Sequence, residues 1–382
     1  MRIVSIVQEY VPSYRLPFFV RLSSILSDAD VQLRVYSGEA NPAQRLRGDT
    51  AAWDGSFQIH NKEYSVFGRR IVLSNLETVF AVSDAVILEQ ARRNLSAYPR
   101  LFSKRRRAPI ALWGHGRDYA FQRTRVEAAL HRLLTLRADW FFGYTGLGVD
   151  HIVGHGFDRD RTTVVENSID SAQLRKDIDS IKPEILSQFR VKYSLKGSTA
   201  LFIGAVDESK RVDFLLHGCA TVHEQNPDFR LLVVGDGGQR DRLEAEFGRY
   251  EWVHFLGNLN GAEKSLAIAA SDCISIPGRI GLVAVDSLVA GLPIVTTNHA
   301  LHAPEFEYLT PNHNCIVSGD TVADYSAALA GLLDNPTKLA RYRHNCFMES
   351  EKYSIDNMAS NFAAGVLSLL ESGPAIEADP KL

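Results

Sequence analysis

Short, unbroken apolar runs recur along the chain, each followed by a turn signal and then by a stretch with helical spacing. Residues 2–7, 31–36, 71–73, 85–88, 110–113 and 140–142 are such runs in the first half, and 200–204, 230–234, 253–256, 273–276 and 294–295 in the second. An apolar run without polar alternation is what a strand buried on both faces requires. Helical spacing follows at 16–26, 125–136, 146–156, 266–270, 322–333, 336–350 and 355–370. Strands alternating with helices predict parallel sheets. Two such series, joined by a polar, lysine-rich and helical stretch at 171–197, predict two parallel-sheet α/β domains facing across a cleft, with ligands bound in it. Residues 41–63 are polar and irregular and predict no regular element.

The most informative stretch runs from residue 271 to 308, SDCISIPGRIGLVAVDSLVAGLPIVTTNHALHAPEFEY. A short buried strand is stopped by Pro277-Gly278. A helix starts near Gly281-Leu282, and Gly291-Leu292-Pro293 leads into a second apolar strand. Such a turn lies at the carboxyl edge of a parallel sheet and aims the unpaired N–H groups of the helix start at whatever binds there. An anion suits that position. Asp286 lies within the helix and Glu305 follows the second strand, so two carboxylates flank a phosphate-binding turn, where they are suited to hold hydroxyls.

Composition narrows the class. The 382 residues are 45% hydrophobic and 23% charged, the profile of an ordinary globular chain long enough for two domains. No run reaches the length of a membrane span, and the N-terminus has no signal-peptide pattern. Cys219, Cys273, Cys315 and Cys346 are scattered without metal-ligand spacing, which predicts a reducing, cytoplasmic setting. The net charge of -3 is uneven: residues 1–180 carry roughly +5 and the rest roughly -8. A basic cluster, Arg92-Arg93, Arg100 and Lys104 to Arg107, is interleaved with Leu95, Tyr98, Leu101 and Phe102. It reads either as a solvated loop or as a peripheral contact with an anionic membrane surface, at the inner face. Nucleic acid is not an expected partner, because no reader motif accompanies the charge.

The stretch at 271–308 resembles the donor site of the large retaining glycosyltransferase family of GT-B fold. Its usual form has a Pro-Ser turn, a glutamate, Gly-Leu, a second glutamate separated from the first by seven residues, Gly-Leu-Pro and a Pro-Glu pair. Pro277, Gly281-Leu282, Gly291-Leu292-Pro293 and Pro304-Glu305 match. The second glutamate falls on Asp286 and the first on Gly278, which has no side chain. Gly204, with Lys210 after it, resembles the family's Gly-Arg-Leu turn and lysine that grip the donor diphosphate. The arginine of that turn falls on Ala205, and Arg211 is the nearest replacement charge. His115, in Trp113-Gly114-His115-Gly116, matches the histidine that faces the donor sugar from the first domain. Gly257, at the end of a strand, matches the turn that receives the base.

The resemblance implies a GT-B architecture of two Rossmann-like domains. The first spans 1–182, with the helix at 355–382 crossing back onto it, and the donor domain spans 183–354. It also implies transfer of a sugar, with retention, from a nucleotide-sugar donor to an acceptor hydroxyl in polysaccharide or glycolipid assembly, the acceptor being a saccharide or a lipid-linked saccharide. Lys210 and the N–H groups of Gly281 and Leu282 are then expected to stabilise the leaving diphosphate, Asp286 to hold the ribose, and Glu305 and His115 to orient the sugar. Arg279 and His302 stand beside the missing groups, and Arg15 is placed by a turn at the start of the first helix as an anion contact. No metal and no cofactor are expected. Asp158-Arg159-Asp160 reads as a surface loop rather than a metal site. The two missing charges leave open a catalytically inactive GT-B subunit that binds a partner transferase. A nucleotide-sugar epimerase or hydrolase on the same fold is the third reading.

Overall fold

The structure is a computed structural model and describes all residues except 42–52, 54, 67–68, 92, 104–105, 120–123, 299–300 and 374–382. The chain forms two compact units, Met1–Ile169 with Ile355–Leu382, and Asp170–Ser354.

In the first unit, seven strands form one parallel sheet: β1 (Arg2–Gln8), β2 (Val31–Ser37), β3 (Ser56–Gln58), β6 (Ala85–Glu89), β7 (Ile110–Gly114), β8 (Trp140–Gly143) and β9 (Thr162–Val164). Their order is β3-β2-β1-β6-β7-β8-β9. The apolar runs are buried on both faces, as their lack of alternation requires. Within β7, Ala111 and Trp113 face a core completed by Phe18, Phe19 and Leu22 of the helix Leu16–Asp28, while Ile110 and Leu112 join Val79, Leu101 and Phe141 in a second core. The helix Ile355–Ser372 covers the first of these faces: Phe362 stacks on Phe142 at 4.3 Å and meets Trp113 edge-on at 5.0 Å. Gly365 lets it lie close, since a Cβ there would come within 2.6 Å of the Phe142 ring.

Strands β4 (Asn61–Val66) and β5 (Arg69–Ser74) form a separate antiparallel hairpin. With β3, they correct the irregular reading of residues 41–63. These strands carry mostly polar side chains and are held by backbone pairing, so hydrophobic period alone does not mark them. Arg92, Lys104 and Arg105 of the basic cluster lie outside the described residues.

The second unit is a six-stranded parallel sheet of β10 (Thr199–Ile203), β11 (Arg230–Val234), β12 (Val253–Gly257), β13 (Cys273–Ser275), β14 (Ile294–Thr297) and β15 (Cys315–Ser318). The order is β12-β11-β10-β13-β14-β15, so chain direction across the sheet reverses between β10 and β13. Ligands of doubly wound sheets bind outside the carboxyl ends of the strands at that reversal. The helix Ser171–Asp179, in a stretch read as linker, packs in this unit against the helices Gly261–Ala269 and Val283–Ala290, burying Leu174. Polar composition concealed it because only one of its sides is covered.

Candidate donor site

The loops after β10 and β13 meet at the reversal point. Gly204 ends β10 with φ +154°, and its carbonyl leaves no room for a side chain on Gly235 at the end of β11. Asp207 then caps a short turn: its carboxylate accepts from Ser209 N at 3.0 Å and from Ser209 Oγ at 2.7 Å. This turn delivers Lys210 back toward the sheet edge, where its ammonium donates to the Arg279 carbonyl in the loop after β13. Burial there pushes the Lys210 pKa down to about 8, against the opposing pull of Asp207 and Glu305.

The same contact accounts for Gly278. The Arg279 N–H donates to the Ser209 carbonyl at 2.8 Å, drawing the two loops together. A Cβ on Gly278 would lie 2.6 Å from the Lys210 carbonyl carbon, with the Ser209 carbonyl oxygen nearer still. The backbone therefore occupies the place of the absent carboxylate.

After Gly278, Ile280 donates its N–H to His302 Nδ1 at 3.2 Å, and His302 stacks on Phe306 at 3.8 Å between centroids. The N–H groups of Gly281 and Leu282 have no hydrogen-bond partner among the described residues, at the start of the helix Val283–Ala290. The buried Glu305 carboxylate lies beside Gly281, where a Cβ would be 3.7 Å from its Oε2. Unpaired donors, an ammonium and a carboxylate thus converge on one loop pair. Such a set can take an anionic group and a hydroxyl together.

Two expected residues are engaged within the unit. Arg211 adopts a left-handed conformation at φ +56°, and its guanidinium pairs with Asp320 and lies over the Phe214 ring at 4.3 Å. Asp286 is 5% exposed, inside a helix buried along its length, and accepts from Lys264 Nζ at 2.6 Å. Neither Lys264 nor Asp320 was singled out from the sequence. They lie 22 and 109 residues from their partners, with no local signal linking them. Gly257, with φ +70°, sits under the Arg240 guanidinium, which pairs with Asp236 at 3.3 Å.

In the first unit, His115 is exposed and follows β7, with its ring against Tyr144 at 4.6 Å and Tyr119 at 5.8 Å. Gly116 and Gly148 are back to back: a Cβ on Gly116 would lie 2.6 Å from the Gly148 carbonyl carbon, which makes glycine necessary at this approach. Arg15 is buried rather than presented on a surface turn. Its guanidinium covers the Trp113 ring at 4.3 Å and donates to the Tyr144 hydroxyl, while Nη1 has no described partner. At the carboxyl ends of β1 and β6, the buried Glu9 pairs with Arg70 and with Arg93, the latter at 2.6 Å. Glu89 receives the Glu9 N–H at 3.3 Å, and burial raises its pKa.

All four cysteines are buried thiols, and burial pushes Cys315 and Cys346 up to about 12, which leaves them poor nucleophiles. Among the described residues, no group of three His, Cys, Asp or Glu side chains is placed to hold a metal ion, and no helix is long and apolar enough to cross a membrane. Asp158 caps the short turn Arg159–Arg161, and both Asp158 and Asp160 are exposed.

Residues 197–335 match the family of glycosyl transferases group 1. Over 160 residues the chain is 31% identical to the phosphatidyl-myo-inositol mannosyltransferase of Mycobacterium leprae, covering 39% of this chain and 41% of that protein. It is 25% identical over 216 residues to D-inositol 3-phosphate glycosyltransferase 2 of Catenulispora acidiphila, covering 52% and 48%. The chain thus aligns with less than half the length of these curated relatives. Two solved structures share the fold over nearly the whole chain. Anabaena Alr3699/HepE in complex with UDP has a TM-score of 0.68 at 14% identity, covering 96% of this chain and 100% of that one. WaaG, a glycosyltransferase involved in lipopolysaccharide biosynthesis, has a TM-score of 0.61 at 18% identity, covering 94% and 98%.

Proposed function

From the match of residues 197–335 to the glycosyl transferases of group 1, on a chain of GT-B fold, we propose that this protein transfers a hexosyl group from a nucleotide sugar to an acceptor hydroxyl. The observation that carries this reading is the loop pair at the β10/β13 reversal. There Lys210 and the unpartnered N–H groups of Gly281 and Leu282 offer positive charge and donors to a diphosphate. Leaving-group charge is what such a transfer must offset, and preorganised donors do so without reorganising during the reaction.

In this proposal Asp286 holds the ribose, its side chain held in turn by Lys264. Gly257 receives the base, Gly204 lets the β10 loop approach the phosphates, and Glu305 and His115 orient the sugar. The reaction breaks the anomeric carbon to phosphate oxygen bond, forms a bond from the anomeric carbon to the acceptor oxygen with retention, and releases the nucleoside diphosphate and the acceptor proton. No metal takes part. The named relatives make glycolipids and phosphorylated polyols the first acceptors to assay. The site of action is the cytoplasm, in cell-envelope glycolipid or polysaccharide assembly.

Calorimetry and thermal shift against UDP, GDP, ADP and TDP, free and sugar-linked, with and without chelator, test the donor site. Chelator-insensitive binding to one nucleotide, weakened about tenfold or more in Lys210→Met, is expected. The absence of binding to all of them would overturn the assignment. It would favour a non-catalytic subunit that binds a partner transferase, the reading that the backbone-filled position at Gly278 supports.

A further inference from the structure

The loop after β7 does more than present His115: with two helices it encloses a cavity of about 790 Å³ in the first unit. Gly116 and Arg117 form one wall, the helix Arg125–Thr135 a second, and the end of the helix Gly146–Gly154 a third. The first two walls are tied together through Gln90, directly after β6. Its Oε1 accepts from Gly116 N at 3.0 Å, its Nε2 donates to Thr135 Oγ1 at 3.0 Å, and that hydroxyl donates to the His131 carbonyl at 2.9 Å. The close approach of Gly116 to Gly148 fixes the third wall. The cavity is therefore built into the fold, and its volume lies in the range of small-molecule sites, about 300–1,000 Å³.

Its lining is cationic. Arg117 and Arg132 stand there with His131, His151 and His155, against one carboxylate, the exposed Asp118. The side chains of Arg117 and Arg132 have no ion-pair or hydrogen-bond partner among the described residues. For Arg117 this is costly: its Nε is buried, and the guanidinium lies over the Tyr119 ring at 4.5 Å instead of on a carboxylate. A buried N–H without an acceptor has lost its water and gained nothing in exchange, so an acceptor brought by a ligand is favoured there. His155 Nδ1 lies 2.7 Å from the His151 carbonyl, which can only accept, so Nδ1 holds the proton and Nε2 is left for a ligand. Donors from three walls suit the three oxygens of a phosphate monoester better than the two coplanar oxygens of a carboxylate, and guanidinium groups match phosphate geometry. Ala128, Leu136 and Ile152 add apolar surface for the organic body that carries the phosphate.

We propose that this cavity is a second ligand site, which takes a small organic phosphate independently of the donor nucleotide, with Arg117 and Arg132 on the phosphate. Bound there, the ligand steadies a segment that begins beside His115. Neither arginine belongs to the donor loops of the second unit, so a failure of nucleotide binding would leave this site standing.

Calorimetry of the full chain with glucose 6-phosphate, inorganic phosphate and glucose, at constant ionic strength, tests the site. Saturable binding of glucose 6-phosphate is expected, competed by inorganic phosphate, unchanged by saturating UDP or GDP, and absent for glucose. Arg117→Met and Arg132→Met each weaken it about tenfold. Without ligand, neither variant lowers the melting temperature, because neither guanidinium has an ion pair or hydrogen bond to lose, and both keep the parent's nucleotide affinity. The imidazole NMR resonance missing from His155→Gln shifts when glucose 6-phosphate is added to the parent. No binding of either phosphate, binding displaced by UDP or GDP, affinity unchanged in both arginine variants, or an unmoved His155 resonance would each overturn the proposal. So would a lower melting temperature of unliganded Arg117→Met, which would make this guanidinium a support of the fold.

Discussion

Gly278 and Lys210 form one structural unit, because the backbone of Ser209 and Lys210 fills the space into which a side chain at 278 would extend. Reinstating the carboxylate usual in the resembling family is therefore expected to fail. Gly278→Glu should lower stability by about 1–3 kcal/mol through overpacking without raising turnover, as thermal melting and a transfer assay would read. A variant as stable as the parent would contradict the close approach. Lys210 supplies a prediction in pH. Its folded pKa of about 8 lies below the ordinary lysine value of 10.5. The unfolded chain thus holds the extra proton between these values, and the stability of the unliganded protein rises with pH across that window. A bound diphosphate favours the ammonium form. Binding near pH 8 should therefore take up a proton, seen as a dependence of calorimetric enthalpy on buffer ionisation, and affinity should fall as pH rises above about 8. Lys210→Met should remove both effects and weaken nucleotide binding by about tenfold or more.

At the scale of elements, the helix Val283–Ala290 is the part of the site most dependent on its neighbours. It is apolar except at Ser287, whose hydroxyl donates to the Leu292 carbonyl at 2.5 Å, and at Asp286, whose charge is met by Lys264 from the helix Gly261–Ala269. Removing one member of a buried pair leaves the other uncompensated. Lys264→Met should cost about 3 kcal/mol, and adding Asp286→Asn should recover part of that loss in a double-mutant cycle. Additive losses would show that the two groups are not coupled. The apolar period of the helix Ile355–Ser372 was plain in sequence, and Phe362 shows what it covers, since its ring touches Trp113, Phe18 and Phe142. Phe362→Ala should destabilise the protein by about 3–5 kcal/mol, measured by denaturant unfolding. The β4–β5 hairpin was only half legible, as Ile71–Val72–Leu73 reads as a strand while its partner Asn61–Val66 is polar and exposed.

For the whole molecule, the residues expected to grip the nucleotide lie in one unit and His115 lies in the other. The two roles should then separate experimentally. His115→Ala is expected to leave nucleoside diphosphate affinity unchanged while lowering transfer about 100-fold or more. Equal affinity and equal turnover in a folded variant would remove His115 from the site. The mixed charge of the chain follows the same division, with the positive excess carried by residues 1–180 at roughly +5.

The sequence alone determined the α/β class, the strand runs of both sheets apart from the short edge strands β3, β9 and β15, and the turn at Pro277 to Leu282, because buried parallel strands and helix starts write themselves as local apolar runs and local turn chemistry. It also marked Lys210, His115 and Glu305 as candidates through short motifs. The tertiary structure decided which charges are already spoken for: Asp286 by Lys264, Arg211 by Asp320, and Arg15 by the rings of Trp113 and Tyr144. It decided, too, that Gly278 is closed by a loop 68 positions earlier, at Lys210. Partners distant along the chain leave no periodic trace, since their meeting depends on strand order and not on spacing.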